Sequence, residues 1–328
     1  MPTVVYTAKN PPDGPHAKIF ADAGFDVVYP PDNCNVFIED ELIALLQGAQ
    51  AVVAGSEPYT PRVIQSLPNL RAIVRAGVGF DAVNLAACDD ASIPVCTTPG
   101  VNHHCVAEHA LAMLLAVARG FPLLDRKVRE GRWNRKPYIR MSGKTIGIVG
   151  LGRIGQALAT RAIGLGLKVV AYEPFPNHEF VGQWKVNLLD LDTLLGQSDY
   201  VSLHLPVMKE TINLFDASKF SKMKRGAILV NTARGQLINE ADLYDALKSG
   251  QLAGAGLDVF QVEPLPLSSP LLTLDNVLVS GHVAGLDDES LHDTNKMCAE
   301  LVVKLHKNEW PTGCVQNLKG VTNWKWER

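Results

Sequence analysis

A regular alternation of short apolar runs with helix-like segments most constrains how this chain folds. Such runs, rich in β-branched residues and bounded by Gly or Pro, are typical of parallel strands buried on both faces. The segments between them, such as Glu39–Leu46 and Pro61–Ser66, have helical patterning, which gives successive βαβ units. The first hundred residues therefore predict a doubly wound domain of five strands. These strands are Thr3–Ala8, Phe25–Tyr29, Ala51–Gly55, Ala72–Ala76 and Ile93–Thr97.

The same alternation begins again after Gly143, and it predicts a second parallel-sheet domain. A long helical pattern precedes it, with Asn102 as the expected N-cap, and a last helix, Ser290–Leu305, is expected to return to the first domain. The fold class is thus α/β with two doubly wound parallel-sheet domains. The first comprises residues 1–101 plus 290–328, and the second, residues 102–289, is inserted into it. The strands of the second are Thr145–Val149, Lys168–Tyr172, Tyr200–Leu205, Ala227–Asn231, Gly254–Val259 and Val277–Ser280.

Charge and composition bear on location and partners. The net charge of −3 and the pI near 6.3 give no electrostatic reason to expect a nucleic-acid or acidic-membrane partner. The N-terminus has no signal-peptide pattern, and no apolar stretch has the length of a membrane span. The cysteines are scattered without a C-x-x-C pair, as in a reduced compartment. We therefore expect a cytoplasmic protein whose thiols are free.

A glycine fingerprint follows the first strand of the second domain. Gly150, Gly152 and Gly155 form G-x-G-x-x-G between the strand Thr145–Val149 and a helical segment. The first glycine permits a tight turn, the second a close approach of a pyrophosphate, and the third close packing of helix on strand. Glu173 ends the next strand, 21 residues after Gly152, where an acid binds ribose hydroxyls and repels the phosphate of NADP. The pattern predicts a Rossmann domain that binds NAD, the alternative being a structural turn with a solvated Glu173.

Three later strand ends carry polar residues that suit hydride transfer. Arg234 follows a buried strand, and its planar fork matches a carboxylate. His282 can take up a hydroxyl proton near neutral pH, and Glu263 is the carboxylate that would orient it. Singly, each has a structural alternative: a satisfied core histidine, a surface arginine, or, for Asp258, the cap of a turn.

Together these motifs resemble the D-isomer-specific 2-hydroxyacid dehydrogenase family over almost the whole chain. Its signatures occur in order as Gly150–Gly155, Asn231–Gly235, Gly256–Pro264 and His282. The resemblance implies that Arg234 binds the substrate carboxylate and carbonyl, that Glu263 orients His282, and that His282 is the acid and base. The set that it places at the cofactor is Gly150, Gly152, Arg153, Ile154, Gly155, Glu173, His204, Pro206, Thr211, Thr232 and Asp258.

In the first domain the resemblance singles out a glycine-rich loop. Arg75–Asp81 follows a predicted strand, and its amides could form a nest for an anion or an ordinary turn. The resemblance assigns the amides of Val78 and Gly79 to the substrate carboxylate. It makes this domain flavodoxin-like and substrate-binding. It also implies a homodimer formed through the helix after Asn102 and closure about hinges near Val101 and Gly285.

The substrate is less constrained than the reaction. Arg75 and the basic run Gly131–Lys136, with Arg135, resemble the phosphoglycerate dehydrogenase branch and would suit a phosphate group. The run could equally solvate a helix end or lie in a dimer interface. Because the chain ends at Arg328, no C-terminal regulatory domain is expected. Hydroxypyruvate or glyoxylate reduction is the close competitor, and formate dehydrogenase is disfavoured because relatives of that kind usually carry an amide where Glu263 stands.

Two hypotheses from other functional classes compete with a dehydrogenase. NAD-sensing corepressors share the fold and the catalytic group, but they would be expected to carry disordered tails, which this composition does not show. A two-domain NAD enzyme of other chemistry would not require Arg234, Glu263 and His282 together. A metal site is not expected either. The candidate ligands His103, His104, Glu108 and His109 lack the H-E-x-x-H spacing and would point to different faces of a helix.

Overall fold

The computed structural model describes residues 1–8, 13–133, 135, 137–321 and 323–327. The chain divides into two compact units, one of Met1–Asn102 with Asp287–Arg328 and the other of His103–Leu286. Unit 1 denotes the former and unit 2 the latter.

The strands are β1 Thr3–Tyr6, β2 Asp26–Val28, β3 Ala51–Ala54, β4 Ala72–Arg75, β5 Val95–Cys96, β6 Thr145–Val149, β7 Lys168–Tyr172, β8 Asn187–Leu188, β9 Tyr200–Leu203, β10 Ala227–Asn231, β11 Leu252–Leu257 and β12 Val277–Val279. The helices are α1 Pro15–Asp22, α2 Glu39–Leu46, α3 Pro61–Gln65, α4 Leu85–Asp90, α5 His103–Arg119, α6 Phe121–Arg129, α7 Arg153–Gly164, α8 His178–Trp184, α9 Leu191–Gln197, α10 Ala217–Lys222, α11 Glu240–Lys248 and α12 Asp288–His306. Short 3-10 helices span Gly235–Leu237 and Pro270–Thr273.

Unit 1 is a five-stranded parallel sheet in the order β2-β1-β3-β4-β5. Neighbouring residues of a strand enter opposite layers because side chains alternate across a sheet. Val5 packs in a core with Leu42 of α2, whereas Val4 packs in a second core with Phe20 of α1 and Leu301 of α12. The sheet is therefore covered on both faces, as the continuous apolar runs predict.

Unit 2 is a seven-stranded parallel sheet in the order β12-β11-β10-β9-β6-β7-β8. One face is covered by α5 and α7, and the other by residues of α9, α10 and α11. The chain winds outward from β6 in one direction through β7 and in the other through β9. The order therefore reverses between β6 and β9, and the carboxyl ends of the strands at such a switch point form a ligand crevice.

Local differences from the sequence predictions lie at element ends. Strand β8, Asn187–Leu188, has only two residues. It was not predicted from the sequence, because it contains no apolar run. Helix α7 begins at Arg153, inside the fingerprint, and Gly152 is its N-cap. Asn102 precedes α5 as predicted, but its Oδ1 is buried without a hydrogen bond among the described residues, so the prediction that its side chain caps the helix is wrong.

Within the described ranges, no single helix is long and apolar enough to cross a membrane. Helices α5 and α6 reach that length and composition only when taken together across a 60° bend. The apolar residues of α5, including Met113 and Leu114, are buried in the core of unit 2.

A buried hydrogen bond between the returning helix α12 and β1 is open to a stability test. The Tyr6 hydroxyl donates to Asn295 Oδ1 at 2.6 Å. We expect Tyr6→Phe to lower the free energy of unfolding by about 1 kcal/mol, measured by urea denaturation. Asn295→Ala should lower it too, and the double variant should lose less than the sum. Fully additive losses would contradict a direct coupling.

Candidate active site

The polar residues predicted from the sequence of unit 2 lie at the carboxyl edge of its sheet. Gly150 follows β6, Glu173 follows β7 and His204 follows β9. On the other side of the switch point, Arg234, Asp258 and His282 follow β10, β11 and β12. Because all the strands are parallel, these loops share one edge, which explains how residues distant in sequence form one site.

Two of the three glycines of the fingerprint have no room for a side chain, and the third faces open space. Gly150 has φ +99°, and a Cβ there would lie 2.6 Å from the carbonyl oxygen of His204. A Cβ on Gly155 would lie 2.1 Å from the carbonyl oxygen of Gly150. At Gly152, the N-cap of α7, a Cβ would meet nothing within 4 Å. The turn therefore brings backbone amides and a helix N-terminus to an open position, which suits an anionic group.

Glu173 reaches the fingerprint loop. Its Oε2 accepts a hydrogen bond from the Leu151 amide at 2.8 Å, and its Oε1 accepts one from the Phe175 amide at 3.0 Å. Each carboxylate oxygen can accept a further bond. One oxygen of Glu173 is therefore anchored to the fingerprint loop beside Gly152, and the other to the turn that follows β7.

Two buried polar atoms at the neighbouring strand ends have no hydrogen-bond partner among the described residues. They are His204 Nδ1 and Thr232 Oγ1. The His204 Nε2 pairs with the Ser202 hydroxyl at 2.9 Å, and burial lowers the pKa of His204 to about 4, so the ring is neutral at physiological pH. Unsatisfied buried polar atoms are rare, and their place beside the fingerprint fits a polar ligand such as a dinucleotide.

The other predicted cofactor contacts differ in their surroundings. The Thr211 hydroxyl donates to the Pro206 carbonyl at 2.8 Å and accepts from the Met208 amide at 2.7 Å, so it closes its own turn. Arg153 is exposed and Ile154 is half-buried in the first turn of α7. Thr211 therefore stabilises a turn near the strand ends, and Arg153 and Ile154 lie next to the fingerprint glycines.

His282 and Glu263 form a direct pair. His282 Nδ1 lies 2.7 Å from Glu263 Oε2, and Glu263 Oε1 accepts from the Phe260 amide at 2.9 Å. Burial alone would raise the pKa of Glu263. The hydrogen bonds from His282 and Phe260, with the charges of His282 and Arg234, outweigh burial and hold that pKa below its ordinary value. The carboxylate therefore stays ionised, which favours a proton on His282 Nδ1.

Arg234 is held in an extended conformation at the end of β10. Its carbonyl accepts from the Asn231 side chain at 2.8 Å, and its Nη1 donates to the Ala233 carbonyl at 2.7 Å. A Cβ on Gly235 would lie 1.9 Å from the carbonyl carbon of Phe260, so the segments carrying Arg234 and Glu263 can approach only because residue 235 is glycine. The arrangement places an arginine, a carboxylate and a histidine at one edge.

The loop that carries His282 is held by Asp258, whose side chain is fully buried. Asp258 Oδ1 accepts from the Val283 amide at 3.0 Å and from the Ser280 hydroxyl, and Oδ2 accepts from the Ala284 amide at 2.8 Å. His282 itself has φ +56°, and its amide donates to the Asp258 carbonyl at 2.7 Å. Asp258 thus fixes a loop whose central residue has a conformation that non-glycine residues rarely adopt.

Comparison with known proteins identifies the family. Residues 111–284, more than half of the chain, match the model of the D-isomer specific 2-hydroxyacid dehydrogenase, NAD binding domain. The chain belongs to the D-isomer specific 2-hydroxyacid dehydrogenase family. The predicted family, the fold class and the NAD-binding domain are thereby confirmed.

Individual relatives within this family differ in length. A D-3-phosphoglycerate dehydrogenase of Archaeoglobus fulgidus is 43% identical over 271 residues, which are 82% of this chain but 51% of that protein. A glyoxylate reductase of Korarchaeum cryptofilum is 38% identical over 282 residues, 84% of this chain and 82% of that protein. The D-lactate dehydrogenase of Aquifex aeolicus, solved with NAD and lactic acid, superposes with a TM-score of 0.84 at 26% identity and covers 95% of this chain and 98% of its own. The chain therefore spans about half the length of the phosphoglycerate dehydrogenase and most of the other two.

In unit 1 of this family member, Arg75 is buried, with 8% of its surface exposed. Its Nε donates to the Gly79 carbonyl at 3.0 Å and its Nη1 to the Ala54 carbonyl at 3.1 Å. The guanidinium therefore braces the loop that contains Val78 and Gly79. Arg135 is exposed, and the remaining residues of the basic run at positions 134 and 136 lie outside the described residues.

The histidines considered as metal ligands have other surroundings. The rings of His103 and His104 stack at 4.0 Å, and Glu108 accepts from Arg161 of α7 at 2.6 Å. His109 contacts the Ser280 hydroxyl at 3.0 Å. Sequence reasoning assigned no role to His109 or Ser280, although His109 precedes the buried Met113 by one helical turn and so lies on the face of α5 that meets the sheet.

The low pKa of His204 makes a prediction about stability. Below pH 6.5 the unfolded chain protonates this residue, whereas the folded chain does not until about pH 4. The free energy of unfolding should therefore fall as the pH drops through this window. His204→Gln keeps an amide for Ser202 and should flatten that fall, measured by urea denaturation at pH 7 and pH 4.5. His16, whose pKa burial also lowers, is present in both proteins, so an unchanged slope would contradict the assignment to His204.

Proposed function

We propose that this family member transfers a hydride between NAD and a D-2-hydroxy acid or the corresponding 2-oxo acid. The observation that carries the proposal is the His282–Glu263 pair at 2.7 Å. The positive charge of Arg234 also contributes to the lowered pKa of Glu263. A base oriented by a carboxylate beside an arginine is what oxidation of a hydroxy acid requires. The site lies beside the glycine fingerprint at the same edge of unit 2.

The mechanism follows from which atoms are engaged. Glu263 engages His282 Nδ1, so Nε2 is the nitrogen that exchanges a proton with the substrate. Arg234 binds the substrate carboxylate and carbonyl through its fork. During oxidation His282 Nε2 takes the hydroxyl proton. NAD, when bound at the fingerprint, would supply the acceptor for the hydride that leaves C2. In reduction protonated His282 returns the proton to the forming alkoxide, whose charge Arg234 stabilises.

The cofactor assignment rests on unit 2 alone. Gly150, Gly152 and Gly155 would receive the pyrophosphate at the start of α7, and the carboxylate of Glu173 would accept from the ribose hydroxyls. His204 Nδ1 and Thr232 Oγ1 are the buried atoms that a bound cofactor could satisfy. The contacts proposed for Arg153, Ile154, Pro206, Thr211 and Asp258 complete this set.

The buried position of Arg75 favours a substrate without a phosphate group. Its guanidinium donates to two backbone carbonyls and so stabilises the turn, whose amides at Val78 and Gly79 would bind the substrate carboxylate. Hydroxypyruvate and glyoxylate need no phosphate site beyond the groups that bind their carboxylate and carbonyl. The phosphoglycerate alternative would depend on Arg135, which is exposed.

The remaining expectations concern organisation. Unit 1 is proposed to bind the substrate and unit 2 the cofactor, with closure about Val101 and Gly285. The expected homodimer would form through the helix after Asn102, but many of the apolar residues of that helix, α5, are buried in the core of unit 2. The neighbouring helix α6, all of whose residues are described and none buried, supports a homodimer through its own surface instead, as do Phe121, Val128 and Trp133, which are 57%, 53% and 82% exposed. The charge and the cysteine pattern support a cytoplasmic location.

The substrate class can be tested directly. NADH oxidation followed with hydroxypyruvate, glyoxylate and phosphohydroxypyruvate should give the highest kcat/KM with an unphosphorylated acid. His282→Ala should lower kcat at least about 100-fold, whereas His178→Ala, at the exposed start of α8, should not change it. A preference for phosphohydroxypyruvate would overturn the substrate assignment. NADH binding without turnover of any 2-oxo acid would favour the binding-protein reading instead.

Glu173 provides a separate test of cofactor choice. Glu173→Ser removes the carboxylate that repels a ribose phosphate and accepts from the ribose hydroxyls. We expect the Kd for NADH to rise about tenfold and the preference for NADH over NADPH to narrow or reverse. Glu179→Ser, an exposed change in the first turn of α8, is the matched control. Equal weakening of both cofactors would show that Glu173 only supports the loop.

A further inference from the structure

A chain of hydrogen bonds links helix α5 to the loop of His282. His109 Nε2 lies 3.0 Å from Ser280 Oγ and 3.7 Å from Asp258 Oδ1. The Ser280 hydroxyl donates to that same Oδ1. Of these three residues only His109 is on a helix, and 27% of its side chain is exposed. The link joins α5 to the carboxylate that holds the catalytic loop.

The direction of these bonds follows from Asp258. An ionised carboxylate accepts hydrogen bonds and donates none, so the Ser280 hydroxyl must give its proton to Asp258. Ser280 Oγ is then left with lone pairs only, and His109 Nε2 must carry a proton and donate to it. The chain of donors therefore runs from His109 through Ser280 to Asp258.

The position of His109 is built into the packing of α5 on β11. Alternate residues of a strand face the same side, and residues four apart on a helix share one face. A Cβ on Gly254 would lie 2.6 Å from Val117 Cγ1, and one on Gly256 would lie 2.9 Å from Met113 Cβ. The facing pairs continue in register as Val117 with Gly254, Met113 with Gly256 and His109 with Asp258. Because Gly254 and Gly256 have no side chains, α5 lies close enough to β11 for His109 to contact Asp258.

We infer that His109 is a positioning residue for His282, acting through Ser280 and Asp258. Its N–H fixes the Ser280 hydroxyl, and its ring lies close enough to partner the buried charge of Asp258. Asp258 in turn accepts hydrogen bonds from the amides of Val283 and Ala284, the two residues that follow the left-handed His282. Loss of the His109 donor leaves the Asp258 charge less compensated and the loop less restricted, so His282 spends less time in line with its substrate.

Kinetics of conservative and non-conservative variants test this inference, which rests on the proposed function for its activity readout. His109→Leu keeps the bulk and removes the donor, and we expect kcat to fall about tenfold while the KM and the Kd for NADH change less than about twofold. His109→Gln can place an amide N–H near the position of Nε2 and should recover most of the kcat. Ser280→Ala removes the hydroxyl and should lower kcat in the same way. Ser280→Thr keeps the hydroxyl and should retain most of the kcat.

Coupling between the two residues separates positioning from packing. Because His109 acts through Ser280, the double variant His109→Leu/Ser280→Ala should be little worse than either single variant. His104→Leu, at an exposed position of the same helix, should leave kcat unchanged. Multiplicative losses in the double variant, or a His109→Gln enzyme as slow as His109→Leu, would overturn the inference. A lower Tm with unchanged kcat would show a purely structural role.

A spectroscopic readout keeps the inference testable if the wild-type enzyme turns over no 2-oxo acid, in which case the proposed function fails on its own. Side-chain NMR of labelled histidines, with the His282 signals assigned by their loss in His282→Ala, reports the setting of that ring directly. His109→Leu should shift or broaden the His282 signals, and His109→Gln should largely preserve them. Unchanged His282 signals in His109→Leu would overturn the link.

Discussion

Every neighbouring pair of strands in both sheets is parallel, and the location of the chemistry depends on that constraint. A parallel sheet needs a crossover between strands, so helices cover both faces and the strand interiors are apolar. Most polar side chains then lie in the loops at the strand ends. In unit 2 the reversal of order between β6 and β9 opens the edge where the fingerprint and the His282 loop both lie.

Two carboxylates near that edge show two ways in which the burial of a charge is compensated. Asp258 is fully buried, and backbone amides and the Ser280 hydroxyl saturate much of its accepting capacity. A buried charge without such partners would be strongly unfavourable. Glu263 is partly exposed and has one oxygen on a backbone amide and the other on His282. Asp258 therefore fixes the conformation of its loop, and Glu263 stays ionised beside His282.

The sequence predicted the parts of the site that steric necessity or local spacing dictates. Gly150, Gly155 and Gly235 tolerate no Cβ, so these positions are readable from the chain alone. The direction of the Arg75 side chain could not be predicted from the sequence, because it depends on carbonyls of the neighbouring strand β3 and of its own loop. Nor could the role of His109, which comes from the register of α5 on β11. A two-residue edge strand such as β8 carries too few apolar residues to form a pattern.

Unit 1 differs from unit 2 in the use of its buried charges. Glu57 is 1% exposed, and its Oε1 accepts from the Gly55 amide, the Tyr59 hydroxyl and the Thr7 hydroxyl. Burial and the neighbouring Glu57 raise the pKa of Tyr59, so its phenol stays protonated and donates. Arg75 is likewise bound to backbone carbonyls. The charged side chains of Glu57 and Arg75 are therefore engaged by groups of unit 1 itself, and they stabilise the turns that follow β3 and β4.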